Sequence, residues 1–105
     1  MKQVNYLLFP FDSPEGLAIH AIGLDGRHHP YHRHGKLFYK PWRNGFAELE
    51  GTRTYDTWKS LEHAGLARSY IDHRHRFPHT IFSLTRAGLD WLGGRLGITI
   101  HDEER

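Results

Sequence analysis

The stretch TYDTWKSLEHAGLARSYIDHRHRFPHTIFSLTRAGLDWL, residues 54 to 92, decides how this chain is read. Tyr55, Trp58 and Leu61 fall three apart, a spacing that stacks them on one helix face and leaves Thr57, Lys59, Ser60 and His63 to water or to a partner. Thr54 or Asp56 is placed to cap that helix, because either can accept hydrogen bonds from the unpaired amides of the first turn. Gly65 ends it by taking a positive φ, and Leu66 folds back onto the last turn. Leu66 to Ile71 and His79 to Leu84 carry the bulky residues that strands favour. Between them, DHRHRFP is polar, basic and broken by Pro78, so it reads as a hairpin tip. Thr85 then caps a closing helix with Leu89 and Leu92 as its apolar stripe, Trp91 beside it and Gly93-Gly94 at its end.

Helix, hairpin and helix in this order are those of a winged helix. The run Leu61-Glu62-His63-Ala64-Gly65-Leu66, followed by Phe82-Ser83-Leu84-Thr85-Arg86-Ala87-Gly88, resembles the end of the recognition helix, the wing and the following helix in winged helix-turn-helix regulators of the MarR-like and PadR-like kind. The resemblance spans about a third of the chain. It implies an α+β, winged helix-like domain of about three to four helices with a β-hairpin in the C-terminal half, and double-stranded DNA as partner. A second resemblance covers more of the sequence. The order His20-Ala21-Ile22-Gly23-Leu24, Trp42-Arg43-Asn44-Gly45-Phe46, Asp56 to Gly65 and Phe82 to Gly88 looks like a group of small bacteriophage and prophage proteins. It implies service to a phage, either as a transcription regulator or as a protein aimed at a host system.

Outward from this stretch, 105 residues fit one domain with a modest core. Residues 1–12 read as an extended arm, 13–52 as N-terminal helices with a basic His-rich loop, 53–97 as helix, wing and closing helix, and 98–105 as an acidic tail. Val4 to Phe9 is a short strand or arm. Ser13-Pro14 is a strong helix start, and the apolar run Leu17 to Leu24 predicts a helix from about Pro14 to Gly23. Asp25-Gly26 signals a turn, and Arg27 to His34 is too polar and too interrupted by Pro30 for a regular element. Lys36 to Tyr39 suits a short strand. Pro41 starts a short helix through Phe46 to Leu49, standing where the first helix of a helix-turn-helix belongs.

The absence of cysteine excludes disulfides and thiolate metal sites. No long apolar run and no signal-peptide pattern are present, so the cytoplasm is the expected compartment and a membrane is not; the phage resemblance implies that it is the cytoplasm of a bacterial host. Net charge is only +2, but its distribution is uneven. Between Gly26 and Ala47 there is no acid, while Arg27, Arg33, Lys36, Lys40 and Arg43 lie there with His28, His29, His32 and His34. The acids Asp102, Glu103 and Glu104 mask this excess in the total. His32 with His34, and His73 with His75, would each put two imidazoles on one face of an extended chain, with His79 able to join the second pair. Without cysteine or a placed carboxylate they match no standard zinc pattern, and no metal or other cofactor is assigned. Histidines titrate near pH 6.5, so these loops gain charge on mild acidification.

Two functions follow from these residues. In the first, a DNA-binding regulator docks the Thr54 helix in the major groove with Thr57, Lys59 and Ser60 toward the bases and Arg53 on a phosphate, Thr54 counting among the contact residues. Arg74 and Arg76 on the wing reach the backbone or minor groove. Such proteins usually act as symmetric homodimers, although no long dimerisation helix is evident. Asp56 and Glu62 on the same helix oppose this reading. In the second, the fold presents Arg27, Arg33, Lys36, Tyr39, Lys40 and Arg43 to a host protein, as an anti-defence factor such as a CRISPR inhibitor would. No phosphate loop, nucleophile elbow or paired-carboxylate motif supports catalysis, and Trp42, Trp58 and Trp91 are assigned to packing.

Overall fold

A hydroxyl residue starts each helix. In the computed structural model, which describes residues 9–24, 27–74 and 76–101, Ser13, Thr52 and Thr85 precede α1 (Pro14–Ala21), α2 (Arg53–His63) and α3 (Arg86–Leu96), and their hydroxyls accept the N–H of Gly16, Tyr55 and Gly88. These are the helices among the described residues. The strands are β1 (Tyr31–Arg33), β2 (Lys36–Tyr39), β3 (Phe46–Glu48), β4 (Ala67–Asp72), β5 (His79–Leu84) and β6 (Thr99–Ile100). They form two three-stranded sheets, in the orders β1-β2-β6 and β3-β5-β4. The molecule is therefore a small α+β fold.

The second sheet and α2 share one apolar interior. β4 and β5 pair antiparallel from Ala67 opposite Leu84 to Asp72 opposite His79. Phe82 points inward and stacks on Trp58 of α2 at 5.3 Å and 11°. Trp58, Leu61, Leu84 and Leu89 are all buried in a single cluster, so the helix and the hairpin close on each other as the sequence predicts. Burial of each such side chain stabilises by roughly 1.5–3 kcal/mol. α1 runs through the same interior and is apolar on most of its girth: Leu17, Ala18, Ile19 and Ala21 are buried.

The Leu-Thr-x-x-Gly run has a local physical role. Thr85 accepts the Gly88 N–H at 3.1 Å and donates its own hydroxyl to the Gly65 carbonyl at 2.7 Å, while its N–H reaches the Leu66 carbonyl at 3.1 Å. One residue thus caps α3 and ties it to the end of α2. A Cβ on Gly88 would run into the Leu66 carbonyl oxygen, so the contact needs glycine.

Several expected elements differ. α2 is capped by Thr52, two residues before Thr54 and four before Asp56, because the Thr52 hydroxyl also anchors on the Leu49 carbonyl and the Glu48 carboxylate. α1 ends at Ala21, two residues before Gly23. No helix forms from Pro41 to Leu49; the segment is extended and adds β3 to β5, with Phe46 opposite Phe82. One helix, not two, therefore lies between β2 and β4. Arg27 to His34 does contain a strand, β1, held by antiparallel pairing to β2. α3 passes through Gly93-Gly94 and stops at Gly97, at φ 75. Residues 98–101 are not tail: Ile98 and Ile100 are core, and β6 pairs parallel to β2. The expected Val4–Phe9 arm up to Leu8, the Asp25-Gly26 turn, His75 and the acids 102–104 lie outside the described residues.

Candidate functional site

Two surfaces carry the residues singled out in the sequence. The first is the outer face of α2 with the β4–β5 tip. Its cations are largely neutralised within the chain: Arg53 lies 3.4 Å from Asp12, Lys59 3.0 Å from Glu62, and Arg74 holds Asp72 through two bonds of 2.9 and 2.7 Å. Burial pushes the Glu62 carboxyl up, but hydrogen bonds from Lys59 and Ser69 outweigh it and hold that carboxyl below its ordinary value. The same bond and charge hold the Lys59 ammonium above its ordinary value, and the Asp72 bond and charge do so for Arg74. The Thr57 hydroxyl donates back to the Arg53 carbonyl at 3.3 Å, and Thr54 is half-buried. Ser60 and Arg76 are exposed, and Arg76 has no ion pair among the described residues.

The second surface is the β1–β2 hairpin and the segment that follows it. His34 and Gly35 both take positive φ, 53° and 76°, which is the pattern of a tight type I′ hairpin turn. That turn places Arg33 directly opposite Lys36. Neither has an ion pair among the described residues, and both are exposed. His32 lies on β1 and His34 in the turn, so the two do not share the face of one extended strand. The usual Asn-Gly or Asp-Gly signal of such a turn is missing here, which is why the sequence conceals the hairpin.

Behind the hairpin the chain is fixed by polar contacts to α1. Tyr39, expected at a partner interface, is buried and donates its hydroxyl to the Ile22 carbonyl at 3.1 Å, so it is a core residue. Trp42, expected in the interior, is 53 % exposed. Its indole N–H donates to the Gly23 carbonyl at 3.0 Å, and Gly23, at φ 72, leaves the space that the ring fills. The Arg43 guanidinium lies 4.8 Å over that ring and donates to the His20 carbonyl at 2.7 Å, while the His28 ring lies 4.8 Å from it. Lys40, Trp42, Arg43 and His101 line a cleft of about 450 Å³ whose other walls are Pro41, Asn44 and Leu89. Arg27 and Lys40 are both exposed.

Among the described residues no group of three or more His, Asp or Glu side chains is placed to hold a metal ion. His73 is exposed and His79 begins β5 opposite Asp72. Trp58 is fully buried and Trp91 half-buried, in keeping with packing. No helix among the described residues is long and apolar enough to cross a membrane. Searches against protein-family models, curated proteins and solved structures give no match.

Proposed function

We propose that this protein is a binding module, not an enzyme, and that its basic β1–β2 hairpin with the adjoining Lys40–Arg43 segment takes an acidic surface of a partner protein. The observation that carries this reading is a contrast in charge pairing. On α2 and the wing, Arg53, Lys59 and Arg74 each meet a carboxylate of the same chain, whereas Arg33 and Lys36 face each other with no counter-charge among the described residues. Two like charges held side by side are stabilised by an external anion, and a rigid two-residue turn presents them at little conformational cost. Trp42, exposed and braced by Arg43, supplies the aromatic and arginine chemistry of an interface hot spot beside them. The likeness to small phage proteins supports a host protein as the partner, met in the bacterial cytoplasm, as for an anti-defence factor.

A second reading is supported by the order of α2, the β4–β5 hairpin and α3, the order expected of a winged helix. In it Arg53, Thr54, Thr57, Lys59, Ser60, Arg74 and Arg76 would contact duplex DNA in a regulator. The strand β3 where the first helix of a helix-turn-helix belongs, at Pro41 to Leu49, and the internal ion pairs weigh against it.

Pull-down from nuclease-treated bacterial lysate with the wild-type chain and with Arg33→Glu/Lys36→Glu tests the proposal. The expected result is a partner that survives nuclease treatment and is lost with the double variant. Salt-dependent anisotropy on random duplex DNA is the counter-test. Binding that is unchanged in that variant but falls with Arg53→Ala/Arg76→Ala would replace the first reading by the second.

A further inference from the structure

The two sheets have four edges, and three of them are blunted. β6 has two residues, β3 has three and ends on Glu48, and β1 carries His32 and Arg33. Short or charged edges of this kind resist pairing with other chains. β4 differs. It is six residues long, pairs regularly with β5 along one side, and meets no strand on the other among the described residues. Tyr70 and Ile71, which point to opposite faces of that strand, are 59 % and 56 % exposed. No proline, lysine or glycine interrupts it.

We propose that β4 is the interface of a symmetric homodimer, in which the edge of one copy pairs antiparallel with the same edge of a second copy about Tyr70. The occupant is argued from the strand's own pattern. A two-fold axis perpendicular to the sheet keeps each face continuous, so residues must pair with same-face residues of the other copy. Centred on Tyr70, that register sets Tyr70 against Tyr70, Ser69 against Ile71 and Arg68 against Asp72. Aromatic rings meet across the centre, the exposed isoleucine meets a small side chain, and opposite charges stand at both ends with no like-charge pair. Asp72 keeps its bonds to Arg74, so the charge match with Arg68 adds to that clamp and does not replace it. The dimer is independent of the binding function proposed above, and it would carry two basic hairpins at a fixed separation.

Light scattering coupled to size-exclusion chromatography over a dilution series tests the interface. The chain weighs 12.3 kDa. Wild type should run at twice that mass at high concentration, and Tyr70→Lys/Ile71→Lys at the single mass with an unchanged circular dichroism spectrum. Hydrogen exchange on wild type supplies a readout that needs no variant: β4 amides should be protected at high concentration and lose that protection on dilution. A wild-type mass that stays at one chain, or a dimer that the double variant leaves intact, would overturn the proposal. So would β4 exchange that does not change with concentration.

Discussion

Asn44 pairs with Leu84 as a strand residue would, but through its side chain. Its Oδ1 accepts the Leu84 N–H and its Nδ2 donates to the Leu84 carbonyl, both at 2.9 Å. The position is the next step of the β3–β5 register, since Phe46 faces Phe82. The amide group thus extends the sheet by one rung where the backbone is turning toward Trp42. Asn44→Ala would leave both Leu84 backbone groups without that partner and should cost about 2–3 kcal/mol in a urea titration. Asn44→Asp keeps the acceptor but sets a carboxylate oxygen against the Leu84 carbonyl, so at neutral pH it should cost at least as much.

Trp58 is buried with its indole nitrogen lacking a hydrogen-bond partner among the described residues, and its ring lies flat on Phe82. The ring's area and stacking stabilise the fold, while the orphaned N–H works against it. Trp58→Ala should therefore destabilise by about 3–5 kcal/mol. Trp58→Phe, which retains an aromatic surface and removes the buried donor, should cost under about 2 kcal/mol by the same measurement.

Two glycines of α3 should respond to alanine in opposite directions. At Gly88 the new methyl meets a carbonyl oxygen of the backbone, which cannot rotate away as a side-chain end can. Gly88→Ala is expected to cost more than about 3 kcal/mol or to prevent folding. At Gly94 a Cβ meets nothing within 4 Å, and the position is inside the helix. Gly94→Ala should stabilise by about 0.5–1 kcal/mol, read as a raised melting temperature.

Glu62 links stability to pH. Its carboxyl is held below its ordinary value when folded, so the unfolded chain binds the proton more tightly. The contribution is fully present above the unfolded pKa of about 4.3 and is lost as pH falls through the lower folded value. Glu62→Gln should lower the urea midpoint at pH 7, and the gap from wild type should close on acidification to pH values below that folded value. A gap that stays constant with pH would show that Lys59 and Ser69 do not hold the charged form.

What the sequence discloses and what it hides divide along the reach of the interactions. β5, the start of α3 and the cap of α1 were legible because their causes lie within a few residues: Thr85 reaches Gly88, and Ser13 reaches Gly16. β3 reads as helix in the sequence because its lead-in is held from afar, Asn44 by Leu84, 40 positions on, and Gly45 by the Ala21 carbonyl. β1 is hidden in the sequence because a histidine adopts the left-handed backbone that asparagine usually signals. Of the candidate surfaces, the cations could be counted from the sequence, but their partners could not. Arg74 and Lys59 look like binding residues until Asp72 and Glu62 are seen beside them, and Tyr39 until its hydroxyl is traced to Ile22.

The parallel pairing of β2 with β6 joins Phe38 to Thr99 and Tyr39 to Ile100. During synthesis the root of the basic hairpin must therefore wait until Thr99 and Ile100 have left the ribosome, while α2 and its β-hairpin can assemble from contiguous sequence. The root of that hairpin is thus anchored only after α2, β4 and β5 can already have come together.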